Sequence, residues 1–584
     1  GDFTMILKAL YDYYHRSDDL PVPGMEEKEI GFLLVITKEG KFVRLEDCRI
    51  DKNHAKTYLV KKHVSRTSAV AANHLYDNAA YVLGYCDVTK IKKEADQEKE
   101  ELKTVNCLEA FKEKVRSAAA ACPESAALQA VLLFYGHSRE QLLEWLEKDS
   151  LWEDVKKNLS KKYSTFSFRL EGEKKIIAEQ KALLQLDSEE DVEGDQALCL
   201  ITGKRGTLVD TTTATMIPDS QATAKLVAFQ VNSGYDSYGK TKCGNAPIIE
   251  EAEFAYTTAL NALLKSGSRN KFMLGNRTFV FWASSQSEAS KQTEESLFDL
   301  LGYSENTRDD PNANVLKVRK AFESIYSGTL KVEMDDRFYI LGLAPNAARI
   351  AAVYWSETTL KEFAGKILAH FEDMELYDTR KDPKPYQGIR EMISSVTLGG
   401  KLSDATPNLP EAVVQSVFQG LPYPFTLYAS CIRRIRAEQK LTLPRVALIK
   451  AYLNRLNDNH SKKIHTMLDK ENTHQGYLCG RLFAVLDKIQ EEANNQHSIR
   501  ERYQNAASTT PSAVFATILN LSNHHLEKLS EGRKIFFEKL KQEIFSQLSA
   551  DGFPAHLDLQ DQGRFFVGYY HQRQDFFTSK KEQE

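Results

Sequence analysis

Residues 31–84 read GFLLVITKEGKFVRLEDCRIDKNHAKTYLVKKHVSRTSAVAANHLYDNAAYVLG. Two apolar, β-branched runs, Phe32–Thr37 and Lys41–Leu45, flank the turn Lys38-Glu-Gly-Lys41 and predict a β-hairpin. A loop bearing Lys52, Lys56, Lys61, Lys62 and Arg66 follows, interleaved with Ser65, Thr67, Ser68, Asn73 and Asn78. From Asn73 onward, Leu75, Ala79, Val82 and Leu83 have helical spacing, with Asn73 or Asp77 as cap. Lysine and arginine hold phosphates, and short hydroxyl and amide side chains reach phosphates or base edges. The same composition describes a solvated loop feeding a helix, and charge and spacing leave both readings open.

Outward from this stretch the chain alternates in kind. Residues 5–16 have the pattern of a short amphipathic helix, and Met5 reads as the natural start, with residues 1–4 an added leader. Residues 90–116 are a charged, mixed-sign stretch, a solvated helix or a linker, and 108–185 read as mostly helical. After the acidic run LDSEEDVEGD (186–195), strand signals return at 198–210, 225–233 and 271–284, with a helix at about 248–264. Residues 337–374 predict strand, turn, strand, helix, and the Pro/Gly-rich span 379–424 reads as a linker. From 425 onward the periodicity is helical. The fold class expected is α+β: a mixed N-terminal domain (5–424, subdivided near 186–195) with antiparallel sheet elements, then an all-α bundle (425–584).

Composition narrows the function. The chain has 584 residues, 42% of them hydrophobic, and a formal net charge of −4. No run approaches the ~18 apolar residues of a membrane span, and no secretory leader is visible, so a cytoplasmic protein is expected. The eight cysteines form no C-x-x-C pair, which argues against a zinc ribbon or a disulfide framework. Positive charge is local: residues 38–66 hold nine basic against four acidic side chains, and 431–466 hold nine against two. Such patches on a near-neutral chain suggest contact with a polyanion at particular places. The second patch contains Arg433, Arg434, Arg436, Arg445 and Lys450. Arg433 and Arg436 share a helix face, and a generic solvated helix explains the set equally well.

One motif points elsewhere. Gly234-Tyr-Asp-Ser-Tyr-Gly239-Lys240-Thr241 fits the phosphate-binding P-loop pattern and follows a strand-like run. A working P-loop starts its helix at the Lys-Thr pair, where free backbone amides cradle phosphate. Here Gly244 and Pro247 intervene before the next helical pattern. An NTPase using Gly239, Lys240 and Thr241 is the alternative from another class. An exposed loop offering Tyr235, Tyr238 and Lys240 to nucleic acid is the preferred reading. Histidine and carboxylate spacings suggest neither a metal site nor a hydrolase, so no catalytic residue, metal or cofactor is expected.

Seven segments carry a resemblance: MILKALYDYY (5–14), YDNAAYVLG (76–84), CLITGK (199–204), YDSYGK with NAPI (235–248), ILGLAPNAARI (340–350), GYLCGRLFAVLDKIQ (476–490) and GYYHQR (568–573). In this order they resemble the large subunit of type I-C CRISPR interference complexes (Cascade). The resemblance implies a non-enzymatic antiviral-defence protein that recognises the protospacer-adjacent motif (PAM) on double-stranded DNA. It implies roles in duplex opening and R-loop stabilisation. The implied partners are crRNA, target DNA, the backbone, crRNA-processing and small Cascade subunits, and a recruited helicase–nuclease. It also implies a C-terminal bundle made separately from an internal start, for which Met467 is suited. Residue by residue it favours Asn73 and Asn78 as polar readers within Ser65–Asn78, with Lys52, Lys61, Lys62 and Arg66 on phosphates and Asp77 and Tyr81 organising the helix. Lys204, Arg205 and Lys240 form a second backbone-binding group, and the 433–450 basic cluster a track for one DNA strand. A purely structural scaffold binding RNA or protein is the remaining alternative.

Overall fold

The computed structural model describes residues 6–64, 70–180, 183, 196–215, 217–230, 236–301, 315–380, 387–456 and 463–578. About half of the chain is helix and 14% strand, an α+β protein as expected. Two compact units are present: residues 19–196, and residues 1–18 together with 197–584. Among the described residues no helix is long and apolar enough to cross a membrane.

The 19–196 unit is built on Phe32–Ile36, buried at all five positions. It pairs antiparallel with Phe42–Asp47, which completes the expected hairpin, and parallel with Phe166–Leu170, which in turn pairs with Tyr76–Asp77. A strand with apolar residues at every position needs cover on both faces. Phe111, Val115, Val131, Phe134 and Trp152 from three helices join it in one core. The charged stretch is one long helix, Glu94–Ala121, and only its later half, from Thr104, carries buried residues. A separate two-stranded sheet pairs Met25–Glu29 with Thr57–Lys61.

The larger unit holds an antiparallel sheet in the order Arg349–Thr359, Arg337–Asn346, Arg277–Ala283, Lys271–Leu274. Its side chains alternate between two cores, as a period of two requires. Phe272, Phe279, Phe281, Phe338 and Ile340 face helices that include Glu288–Leu301, Val315–Ser327 and Leu360–Asp373. Val280, Trp282, Tyr339, Leu341 and Leu343 face Ile6–Arg16 and Glu250–Leu264. The first helix therefore closes a layer formed some 240 positions later, where the Tyr11 hydroxyl donates to Glu251 at 3.0 Å.

The span 379–424 is not a simple linker. Ile389, Met392, Ile393, Val413 and Phe418 are fully buried in the core shared by the sheet and the C-terminal helices. The strand expected at 225–233 is absent among its described residues, where Lys225 makes an isolated bridge to Arg349.

The helical part turns on one close crossing. Gln475–Asn494 and Leu559–Asp575 meet at backbone contact: a Cβ on Gly480 would lie 1.9 Å from the Phe565 carbonyl oxygen, and one on Gly568 2.2 Å from that of Tyr477. The glycines of the GYLCGRL and GYY segments are therefore packing requirements. Buried polar groups fix the register. Arg481 donates to Gln572 (3.0 Å) and Glu543 (2.9 Å), and Tyr569 donates to Asp487 (2.8 Å). Gly480→Ala should destabilise the chain by about 3 kcal/mol or more, because the obstruction is backbone and overpacking cannot relax by a rotamer change. Gly532→Ala, with no atom within 4 Å of the new methyl, should be near neutral. Thermal unfolding of both variants checks this; equal Tm values would contradict it.

Candidate nucleic-acid interface

The first predicted surface lies in the 19–196 unit. Lys52, Lys56 and Lys62 are exposed, before and after the strand Thr57–Lys61, whereas Lys61 itself is buried. Charge is partly answered by the facing strand, Met-Glu-Glu-Lys-Glu at 25–29. The His63 ring nitrogen Nδ1 lies 2.9 Å from the Glu26 carboxylate, and His54 Nδ1 lies 3.2 Å from Glu29. A count along the local sequence misses these carboxylates because strand pairing brings them in from 30 residues upstream.

Residues 73–78 form a fixed framework. Asn73 is buried; its Oδ1 accepts the Val64 N–H at 2.8 Å, and its own N–H donates to Asp77 at 3.0 Å. Asp77 also accepts the Asn78 N–H at 2.9 Å. Tyr76 donates its hydroxyl proton to the Lys61 carbonyl at 2.7 Å. The expected helix from Asn73 is thus displaced: it is the single turn Ala79–Val82, capped by the exposed Asn78, whose Oδ1 accepts the Ala80 N–H at 3.1 Å. Aspartate and asparagine side chains compete with helix by taking nearby backbone N–H groups, and here they win. Asn73 differs from the expected solvent-facing reader, since its carboxamide oxygen ties Val64 to position 73. Asn78 keeps an exposed side chain. Ser65, Arg66, Thr67 and Ser68 lie outside the described residues.

In the larger unit Lys204 and Arg205 are exposed on a two-stranded hairpin, Gln196–Leu198 with Arg205–Thr207. Lys204 Nζ is 3.6 Å from Glu251 and 3.5 Å from the Tyr11 hydroxyl. Lys240 is exposed. No α-helix starts at Lys240-Thr241. A turn leads instead into a four-residue 3₁₀ segment, Lys242–Asn245, and the next α-helix begins at Glu250. A P-loop's amide cradle needs a helix start at that pair, which the described residues lack; Gly234 and Tyr235 lie outside them. Asp487, far along the chain, is buried in a helix and accepts a hydrogen bond from the Tyr569 hydroxyl. Among the described residues no group of three His, Cys, Asp or Glu side chains is placed to hold a metal ion.

The 433–450 cluster divides. Arg433 and Arg436 are exposed on the helix Phe425–Glu438, and Arg434 pairs with Glu438 at 3.5 Å. Arg445 and Lys450 depart from the expected backbone-binding track, because both are buried in the helix Leu443–Leu456. Arg445 donates to the carbonyls of Ser395 (2.9 Å) and Lys440 (2.8 Å) and to Glu438 (2.6 Å). Lys450 donates to the carbonyls of Asp373 (2.8 Å) and Glu372 (3.2 Å), at the negative end of the helix Leu360–Asp373. Burial pulls its pKa down to about 8. Arg455, one further turn along, joins Asp373 (2.6 Å) to the carbonyls of Ser416 and Leu421. The warning was legible: VALIKAYL surrounds Lys450 with apolar residues on every face, the pattern of a buried helix.

A family model described as CRISPR-associated protein (Cas_Csd1) matches residues 10–577. The chain belongs to this family of CRISPR-associated proteins, in keeping with the resemblance to type I-C large subunits. No curated protein matches the chain.

Arg445→Ala and Lys450→Ala should each lower stability by about 3 kcal/mol, since buried carbonyls and a carboxylate lose their donors. Arg433→Ala and Arg436→Ala should leave Tm within a degree or so, as surface changes do. Thermal melts of the four variants separate internal joints from free surface cations.

Proposed function

We propose that the chain is the non-catalytic large subunit of an RNA-guided CRISPR surveillance complex. It recognises a PAM on double-stranded DNA, helps open the duplex and hold the R-loop, and helps recruit a helicase–nuclease. Family membership supports the setting. The observation that carries the site is the framework formed by residues 61–64 and 73–78: a buried tie from Asn73 to Val64 and a Tyr76 clamp on Lys61, beside exposed Lys62 and the exposed cap Asn78. A rigid base that presents one polar side chain beside cations suits base readout positioned by phosphate contacts. Lys52, Lys56 and Lys62 hold phosphate, Asn78 contacts a base edge, and Asn73 ties Val64 to the residues that carry Asn78. Arg433 and Arg436 are the part of the C-terminal cluster still available to a nucleic-acid strand. The partners of this reading are crRNA, PAM-bearing duplex and the other Cascade subunits, and it needs no cofactor.

Binding of matched and scrambled PAM duplexes by reconstituted complexes tests it. Asn78→Ser retains a capping oxygen and should reduce the matched-to-scrambled ratio about tenfold, the scale of one base contact. Lys56→Ala and Lys62→Ala should weaken both targets alike and flatten the salt slope by about 1 each. An undiminished ratio in Asn78→Ser overturns the assignment of Asn78.

A further inference from the structure

Tyr238 contributes almost nothing to the fold that holds it. The residue is 94% exposed, the most of any large hydrophobic residue described. It sits at the tip of a tight turn in which the Lys240 N–H donates to the Ser237 carbonyl at 3.1 Å. Both central residues have positive φ, 59° at Tyr238 and 71° at Gly239. Such a turn favours Asn-Gly, and a bulky residue in its first central position is strained. The loop behind the tip is firmly anchored. The Asn245 side chain donates to the Ser237 carbonyl at 3.0 Å, and buried Cys243 accepts the Ile248 N–H at 3.1 Å. An aromatic ring with no packing role is therefore presented at the tip of a turn whose following residues are anchored.

The surroundings are cationic. Lys240 is exposed beside the tip. Lys242 reaches Asp210 at 3.1 Å, and the next residue, Thr211, accepts from Lys225 at 2.5 Å. Lys225 bridges to Arg349 along the backbone, and that arginine is exposed. These contacts link Lys242, Lys225 and Arg349 in series to the loop that carries Tyr238 and Lys240. Asp210, which pairs with Lys242, has a side chain that is 87% exposed, and Asp236 accepts the Lys242 N–H at 3.4 Å.

We propose that Tyr238 is a stacking platform for an unpaired base of single-stranded nucleic acid, whose backbone runs along Lys240, Lys242, Lys225 and Arg349. A base within a duplex has both faces covered by its neighbours, whereas an unpaired base offers a face to an exposed ring. The cationic strip gives the sequence-independent part of the affinity. The inference rests on the reading of the chain as a nucleic-acid-binding subunit and concerns residues of the larger unit, whereas Lys52, Lys56, Lys62 and Asn78 belong to the 19–196 unit. The strand is RNA or displaced DNA, and both present the same stacking and phosphate chemistry.

The test is binding of the full-length chain to fluorescent oligothymidylate, oligouridylate and a short duplex. Tyr238→Asn accepts the left-handed backbone without the ring and should leave Tm unchanged while weakening single-strand binding about tenfold. Tyr238→Phe should retain wild-type affinity. Lys240→Ala and Lys242→Ala should each flatten the single-strand salt slope by about 0.7. A loss confined to one oligonucleotide assigns the strand as RNA or DNA. If the wild-type chain binds no oligonucleotide or duplex, this inference and the underlying reading both fall. If it binds single strands and Tyr238→Asn binds them equally, or loses duplex binding to the same extent, only the stacking assignment falls. Unchanged oligonucleotide affinity with loss of the chain from the assembled complex would make the tip a protein contact and overturn it likewise.

Discussion

The backbone contact between Gln475–Asn494 and Leu559–Asp575 is the constraint around which the larger unit is arranged. Glycine at 480 and 568 lets the two helices approach to a distance that any side chain would prevent. That approach buries Arg481 and Asp487 completely, and the crossing supplies their partners, Gln572 and Tyr569. Buried charges are tolerated only when they are paired in this way. The same helix continues the chain of support: Gly563 leaves room for Tyr428, whose hydroxyl donates to the Leu559 carbonyl at 2.7 Å. The next helix, Leu443–Leu456, then holds the C-terminal end of Leu360–Asp373 through Lys450 and Arg455, and that helix lies on the sheet. Cations in the sequence's most basic stretch thus serve as internal joints, and the positive charge left for a polyanion there is smaller than the sequence count.

Elements whose pattern is long and periodic were legible in the sequence. The hairpin on Phe32–Ile36, the strands Arg277–Ala283 and Arg337–Asn346, the helix Glu250–Leu264 and the C-terminal helices all follow from their spacing. What the sequence hid is non-local. Proline and glycine in 379–424 signal turns correctly, but they say nothing of Met392 or Phe418 entering a core formed with residues on both sides. The spacing Leu75, Ala79, Val82 mimics a helix because all three are buried, while Asp77 and Asn78 redirect the backbone between them.

The candidate site shows the same division. The exposure of Lys52, Lys56 and Lys62 was foreseeable from composition, whereas the carboxylates of Glu26 and Glu29 beside them enter by strand pairing. Asn73 and Asn78 look alike in sequence, yet one is spent on Val64 and the other faces outward. Tyr238 lies in a stretch that first attracts notice as a P-loop pattern. Its described residues form a turn with an aromatic tip and start no α-helix at Lys240-Thr241.

The central claim is that sequence discrimination on duplex DNA resides in this subunit, independently of guide pairing. Complexes reconstituted with and without the chain, on duplexes that share a guide-matched target and differ only in the PAM, test it most directly. The account predicts a PAM preference that is present with the chain and abolished without it. The same preference in complexes lacking the chain would contradict it.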